Sequence, residues 1–286
     1  NALALAAASD TILVSNGTYR VTTNLLVDKA VTIQGFLNGV AGGRAAAEET
    51  IIRRDAEGDV EPYHRVILIS AAGAVLDGVT VSHGYTTNLN GAGIYMNVAG
   101  TIQNCIIAQN TASNGYGGGI CQDKGVVSNC LVRDNRALYG GGMRVYSTLV
   151  DSVIHDNSVS YNSGWNGGGG GLYGGNGATI LDCTIVSNRC TGNANGAGLM
   201  LSAGATSKID VNRCLFEANT TLGDGGGLEL REGTSANWKI RNCRFLRNSA
   251  RRGGGIDMSN NTSYPGVVNC LIAENTASLN GGGISG

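Results

Sequence analysis

Apolar residues in this chain come in runs of three to seven, and within the runs they alternate with polar ones. In GGLELRE, Leu228 and Leu230 would face one way and Glu229 and Arg231 the other. That period of two belongs to a strand. The runs are too short for helices, and no longer segment carries a period of about 3.6. Glycines stand between the runs, 46 in 286 residues, while proline occurs only twice. Glycine at those places supplies the positive φ or the close backbone approach that a turn needs. The pattern predicts many short strands joined by glycine-rich bends.

The strands repeat. NCIIAQN at 104–110 returns as NCLVRDN (129–135), DSVIHDN (151–157), DCTIVSN (182–188), RCLFEAN (213–219), NCRFLRN (242–248) and NCLIAEN (269–275). A second element keeps step with it: GAGI at 91–94, GGGI at 117–120, GGGM at 140–143, GGGL at 169–172, GAGL at 196–199, GGGL at 225–228, GGGI at 253–256 and GGGI at 281–284. The Cys-column positions are 25, 22, 31, 31, 29 and 27 residues apart. A motif at such a period marks a solenoid, a propeller or an array. A propeller blade needs about 40–45 residues. The shorter repeat fits one coil of three strands and three turns. Equivalent strands of successive coils then stack as parallel sheets about 4.8 Å apart.

Stacking gives the columns a physical meaning. Asn110, Asn135, Asn157, Asn188, Asn219, Asn248 and Asn275 would lie one above another. An amide carries a donor and an acceptor, so the stack can bond along its length. Cys105, Cys130, Cys183, Cys214, Cys243 and Cys270 form an inward column, with Ser152 and Gly78 read as its substitutes. Neighbouring Cα–Cβ vectors in a parallel stack run side by side, which is poor disulfide geometry. The eight cysteines are therefore expected to be free thiols acting as small hydrophobes. There is no CxxC, and His64, His83 and His155 do not join Cys at ligand spacing, so no metal site is expected.

The pairing of GG[GA][ILM] with FEAN (216–219) and FLRN (245–248) resembles the GGAI/FxxN repeats of chlamydial polymorphic outer membrane proteins and autotransporter passenger domains. More broadly the repeats resemble right-handed parallel β-helix proteins of the pectate-lyase-like superfamily. The start, DTILVSNGTYRVTTNLLVDKAVTIQG at 10–35, is similar to the opening coil of many secreted members. The resemblance covers most of the chain. It implies an all-β, single-stranded right-handed parallel β-helix, a solenoid of about nine or ten coils over residues 10–286. It also implies an extracellular or cell-surface bacterial setting. The superfamily holds lyases, hydrolases, esterases, adhesins and structural spikes, so the resemblance implies a fold rather than one activity.

Two segments break the pattern. Residues 1–9 lack the basic flank of a signal peptide and are read as a cap on the open end of the solenoid. Residues 36–65 are richer in acids and arginines and are read as an irregular excursion between early coils, with IIRR and RVILIS as strands. The alternative is a loop folded over a face of the helix. The chain stops inside a repeat, at GGGISG. A bare coil exposes a sheet edge, so a continuation beyond residue 286 is expected.

Net charge is −1 and charged residues are 14%. No basic stripe points to nucleic acid. Arg53–Arg54 and Arg251–Arg252 read as isolated pairs on solvated turns. No apolar stretch is long enough for a membrane-spanning helix.

Inward positions are core, so function is sought on outward side chains and turns. The second residue after each glycine triplet points outward: Tyr95, Cys121, Arg144, Tyr173, Met200, Glu229 and Asp257. Two residues further come Asn97, Tyr146, Ser202, Arg231 and Ser259. The candidate ligand-binding residues are Tyr95, Arg144, Tyr146, Tyr173, Glu229, Arg231 and Asp257, since tyrosine rings and planar charged groups suit sugars and uronates. Trp165, in the glycine-rich insertion 158–177, joins them as an exposed aromatic contact. The plain alternative is a solvated sheet face whose charges pair across coils, or a Trp165 folded back onto the solenoid.

Uronic-acid lyases in the superfamily need a cation beside the substrate carboxylate and a Lys or Arg base. Calcium-dependent relatives cluster several acids; here Glu229, Asp257 and Arg231 are the nearest approach, and calcium enters only with that alternative. Galacturonan hydrolases need three close aspartates. Asp123, Asp134, Asp156 and Asp182 are read as lying near turns at different repeat positions. GDGGGLELR at 223–231 lacks the Asp of a calcium-binding nonapeptide. The reading is an extracellular or cell-surface structural or adhesive module with a rigid repetitive face for a glycan or for other surface or matrix proteins, and its coils offer ends for end-to-end self-association. The alternative is a polysaccharide lyase or related carbohydrate-active enzyme. A deep groove around Arg231, Glu229 and Asp257 would favour the enzyme, and a flat face the module.

Overall fold

The computed structural model describes residues 2–37, 40–55, 57, 63–161, 167–204, 207–231, 238–259 and 266–286. Its strands wind into a right-handed parallel β-solenoid. Four sheets run its length, with 11, 10, 8 and 10 strands in the order in which a coil visits them. One coil shows the plan: Thr101–Gln103 in the first sheet, Ile106–Ala108 in the second, Thr111–Tyr116 in the third and Ile120–Gln122 in the fourth. The pairings along these sheets are parallel, apart from the short antiparallel strand Val40–Ala41, and the register shifts only in the third sheet, between Ala112 and Tyr116 and between Ala250 and Arg252.

Four strands per coil replace the three expected from the repeat length. The stretch after each ladder Asn is the added strand: it is extended and pairs with its neighbours, as Thr111 does with Arg136 and Ala112 with Ala137. Among the described residues the first two coils show no third strand, and eight coils carry all four.

A left-handed residue sits at each of three bends. Asn104, Asn129, Asp151 and Asp182 turn the first sheet into the second, with φ of 47–55°. Gln109, Asp134, Asp156 and Ser187 turn the second into the third, with φ of 54–58°. The first glycine of each triplet, such as Gly117 at φ 65°, turns the third into the fourth. Only glycine takes that conformation without a Cβ clash, and short polar residues come next. The bend placement corrects two expectations. Gly78, at φ 64°, belongs to the first bend, and Val79 fills the Cys column. Asp134 and Asp156 share one repeat position rather than occupying different ones.

The core is a set of stacks. Ile107, Val132, Ile154, Ile185, Phe216 and Phe245 succeed one another in the second sheet. The last two rings stack at 4.7 Å with 5° between planes. Beside them the Asn ladder is complete from Asn110 to Asn275, each Nδ2 donating to the next Oδ1 at 3.0 Å.

All eight cysteines are free. The column thiols donate to main-chain carbonyls two residues back, as Cys105 does to Gln103 at 3.1 Å. Burial pushes the Cys190 thiol up to about 12 and the Cys121 thiol up to about 11. Thiolate reagents should therefore react slowly with the native protein and titrate all eight thiols after denaturation, with half-buried Cys270 first of the column. Fast native reaction at Cys214 would contradict this packing.

At the start, α1 (Ala2–Leu5) packs Leu3 against the core, and Lys29 Nζ donates to the carbonyls of Leu3, Ala4 and Ala6. The 36–65 segment holds α2 (Gly43–Glu49) and the strand Thr50–Arg54. Ala46 and Ala47 of α2 are buried, and Ala47 clusters with Ile106 and Ala108 of the second sheet. Arg53–Arg54 and Arg251–Arg252 lie on strands, not solvated turns.

Candidate functional site: the inside corner between the third and fourth sheets

The glycine triplet brings two outer surfaces together. Tyr116 ends a third-sheet strand, and Tyr173 lies in the fourth sheet with its side chain on the outer face. Their rings nevertheless touch, with centroids 5.5 Å apart. Outer faces can meet only where a bend is concave. The glycine bend is thus the inside corner of the solenoid's cross-section.

Two columns line this corner. From the fourth sheet come Leu68, Tyr95, Cys121, Arg144, Tyr173, Met200, Glu229, Asp257 and Ser285, in strict register. From the third sheet come the residues just before each triplet, Tyr116, Tyr139, Gly168 and Asn195, then Asp224, Arg252 and Asn280. The expected second outward column runs beside the first. Main-chain bonds there step from Tyr146 back to Gln122, Ser202 to Gly174 and Arg231 to Leu201.

The columns build an aromatic half and an acidic half. Tyr116 and Tyr139 stack at 4.7 Å and 12°, and Tyr173 sets its edge against both at 5.5 Å. Arg144 places its guanidinium 5.4 Å from the Tyr116 ring and 4.4 Å from the Tyr146 ring. It is ion-paired with Asp123, which also accepts the Tyr95 hydroxyl at 2.8 Å. Arg65 lies 5.2 Å from the Tyr95 ring. Such rings and cations reinforce one another electrostatically. Tyr146 rests on Gly175, where a Cβ would come within 2.1 Å of its ring. Burial and the neighbouring Tyr173 push the Tyr146 hydroxyl up to about 12, so it stays a neutral donor.

The acidic half starts two rungs beyond Tyr173, roughly 10 Å away at strand spacing. Met200 covers Gly168 in between. Glu229 and Asp257 are paired in register and both are 0% exposed. Asp257 Oδ2 accepts the Ser259 hydroxyl at 2.8 Å. Among the described residues, its Oδ1 and both Glu229 oxygens have no partner. Asp224 accepts Arg251 at 2.7 Å and leaves its other oxygen unpartnered. Burial first, then the neighbouring Asp257 and Asp224, raise the Glu229 carboxyl well above its ordinary range; Arg231 opposes them. A protonated Glu229 can donate to Asp257 Oδ1, which satisfies atoms on both sides. A like charge held this close favours the neutral form of Glu229.

The eight sequence candidates therefore divide. Tyr95, Arg144, Tyr146 and Tyr173 form one cluster and Glu229, Arg231 and Asp257 the other. Trp165 lies outside the described residues. Sequence reasoning missed Tyr116, Tyr139 and Asp224, although each directly precedes a glycine triplet, a signal as regular as the triplet itself. It also missed Asp123, which sits between Tyr95 and Arg144. The expected flat, solvated face is not what forms, because a concave corner buries the charges that a convex one would expose.

Among the described residues, no group of three or more His, Cys, Asp or Glu is arranged to hold a metal ion, and no helix is long and apolar enough to cross a membrane.

Comparison with known proteins agrees with the architecture. The family profile for the right handed beta helix region matches residues 61–212 and, overlapping, 122–277. No curated protein and no solved structure gives a significant match to the chain. The two profile matches together span well over half of the chain, and the protein belongs to the right-handed β-helix family.

Proposed function

We propose that this β-helix is a structural or adhesive module of the cell surface or extracellular space that holds a carbohydrate strand along its inside corner. The observation that carries the reading is the tyrosine cluster: Tyr116, Tyr139 and Tyr173 in mutual contact, with Arg144 against Tyr116 and Tyr146. Ring faces and phenol hydroxyls match the apolar faces and hydroxyls of sugars. The site sits on a rigid stack of in-register strands, so little ordering cost attends binding. The surface setting rests on the likeness to secreted β-helix proteins and autotransporter passengers. The partners proposed are a glycan and other surface or matrix proteins.

The second reading is a carbohydrate-active enzyme, a polysaccharide lyase first, with Arg231, Glu229 and Asp257 as its groups. The raised Glu229 carboxyl beside Asp257 favours it, since a carboxyl kept neutral can act as an acid. The binding reading ranks first because a catalytic acid must touch substrate, and both carboxyls are fully buried.

An array of neutral and acidic polysaccharides, with and without calcium, separates the two. Binding without new chain ends, weakened about tenfold or more in Tyr139→Ala, is the expected result. Unsaturated ends that form with the wild type and vanish in Glu229→Gln would replace the module with a lyase. Reducing ends without unsaturation would replace it with a hydrolase. Binding untouched by Tyr139→Ala would remove the corner as the site.

A further inference from the structure

A second concavity lies on the outer face of the second sheet beside α2. It holds about 310 Å³ and none of its residues belongs to the inside corner. Its floor is a column in register: Arg53, Ser82, Ala108, Arg133. The two arginines stand three strand spacings apart, roughly 14 Å. The small side chains of Ser82 and Ala108 leave the space between them open. One wall is the second bend, with His83 and Gln109. The other is α2, tied down by the Thr80 hydroxyl donating to Ala47 O at 2.6 Å, with Glu48 at its edge.

The trough asks for negative charge. His83 is held in the left-handed conformation at φ 62°, and its buried Nδ1 has no hydrogen-bond partner among the described residues. Burial, then Arg53 and Arg54, lower the His83 pKa, so the imidazole is neutral with cations beside it. Arg133 is shared with Asp134 at 2.5 Å, and no ion pair of Arg53 occurs among the described residues. The donors (two guanidiniums, an imidazole, a hydroxyl and an amide) approach from several directions. That suits a ligand with three or more acceptor oxygens, and arginine forks match such oxyanions. The volume is at the small end for ligand sites, about the size of one sugar ester.

From this geometry we infer a second binding site, for a tetrahedral oxyanion, phosphate or sulfate, free or esterified to a single sugar, held between Arg53 and Arg133 with His83 as a third donor. The site is independent of any glycan at the inside corner. Binding raises the His83 pKa, because the anion's charge offsets that of Arg53 and Arg54 and favours the imidazolium. Arg133 acts against that rise, and Glu48 acts with it.

The test is an NMR titration of the three histidines in the whole chain with inorganic phosphate, inorganic sulfate, glucose 6-phosphate and glucose. A saturable shift confined to His83, a raised His83 pKa and no response to glucose are expected. Arg53→Gln should weaken the anion about tenfold or more, the loss of one charge-assisted bond. Arg133→Gln gives the same reading from the other end should the first variant misfold. Arg241→Gln, on the first sheet, should change nothing. A tighter ester than inorganic anion assigns the sugar ester, and equal affinity assigns the free oxyanion. No saturable shift at His83, a shift with glucose alone, or full affinity in both arginine variants would overturn the site.

Discussion

Asn188→Ala should cost on the order of 3–5 kcal/mol in urea unfolding, the largest loss expected of any one substitution outside the aromatic core. Asn188 is fully buried. Its Nδ2 donates to Ile154 O at 2.9 Å, to Val186 O at 3.1 Å and to Asn219 Oδ1 at 3.0 Å. Its Oδ1 accepts both the backbone N–H and Nδ2 of Asn157. Alanine strands a buried N–H, an amide and carbonyls of two neighbouring coils, and each orphan costs about 1–3 kcal/mol. In a solenoid stability is roughly a sum over neighbouring coils, so a weak interface in the middle should also split or broaden the transition. Asn275→Ala makes the control. That rung is only half-buried and donates to Phe245 O alone. It should cost clearly less. Equal losses at the two positions, or a loss at Asn188 under about 1 kcal/mol, would mean the ladder adds little beyond packing.

The second expected result concerns pH. Glu229 has a folded pKa raised above its unfolded value of 4.5. Its native form binds a proton that the unfolded chain releases. Its contribution to stability is therefore fully present below the unfolded pKa and is lost as pH rises towards the folded one. Glu229→Gln keeps the size and supplies a permanent donor to Asp257 Oδ1. The variant should match the wild type in acid and exceed it near neutrality by on the order of 2 kcal/mol, with a flatter profile between. Unfolding curves taken at several pH values give the comparison directly. Parallel profiles for the two proteins would mean that Glu229 is ionised in the native state and that Arg231 outweighs the burial.

These two predictions rest on features of very different legibility. The ladder could be written down from the chain alone. Asn110 to Asn275 recur in step with the Cys column, and a stack that repeats every coil admits one neighbour above and one below. Column membership is a matter of counting, which is why Tyr95, Arg144, Tyr173, Glu229 and Asp257 could be placed in one outward row. The row of Tyr116, Tyr139 and Asp224 is equally countable, since each precedes a triplet, but a coil of three strands leaves no strand in the segment before the triplet. Its alternation is short, and glycine interrupts it at Gly115.

The sequence by itself determined the solenoid, its period, the residues that stack, and which face of each strand points outward. It did so because parallel stacking is one-dimensional and hydrophobic alternation has a sign. Only the tertiary structure decided which bend is concave. Three left-handed residues turn each four-stranded coil, and the direction in which a corner opens depends on the angles between whole sheets, which no residue spacing encodes. That angle turned an expected open face into a corner where tyrosines meet across two sheets and Glu229 and Asp257 share a dry site. It also laid α2 beside the second sheet, leaving the trough between Arg53 and Arg133.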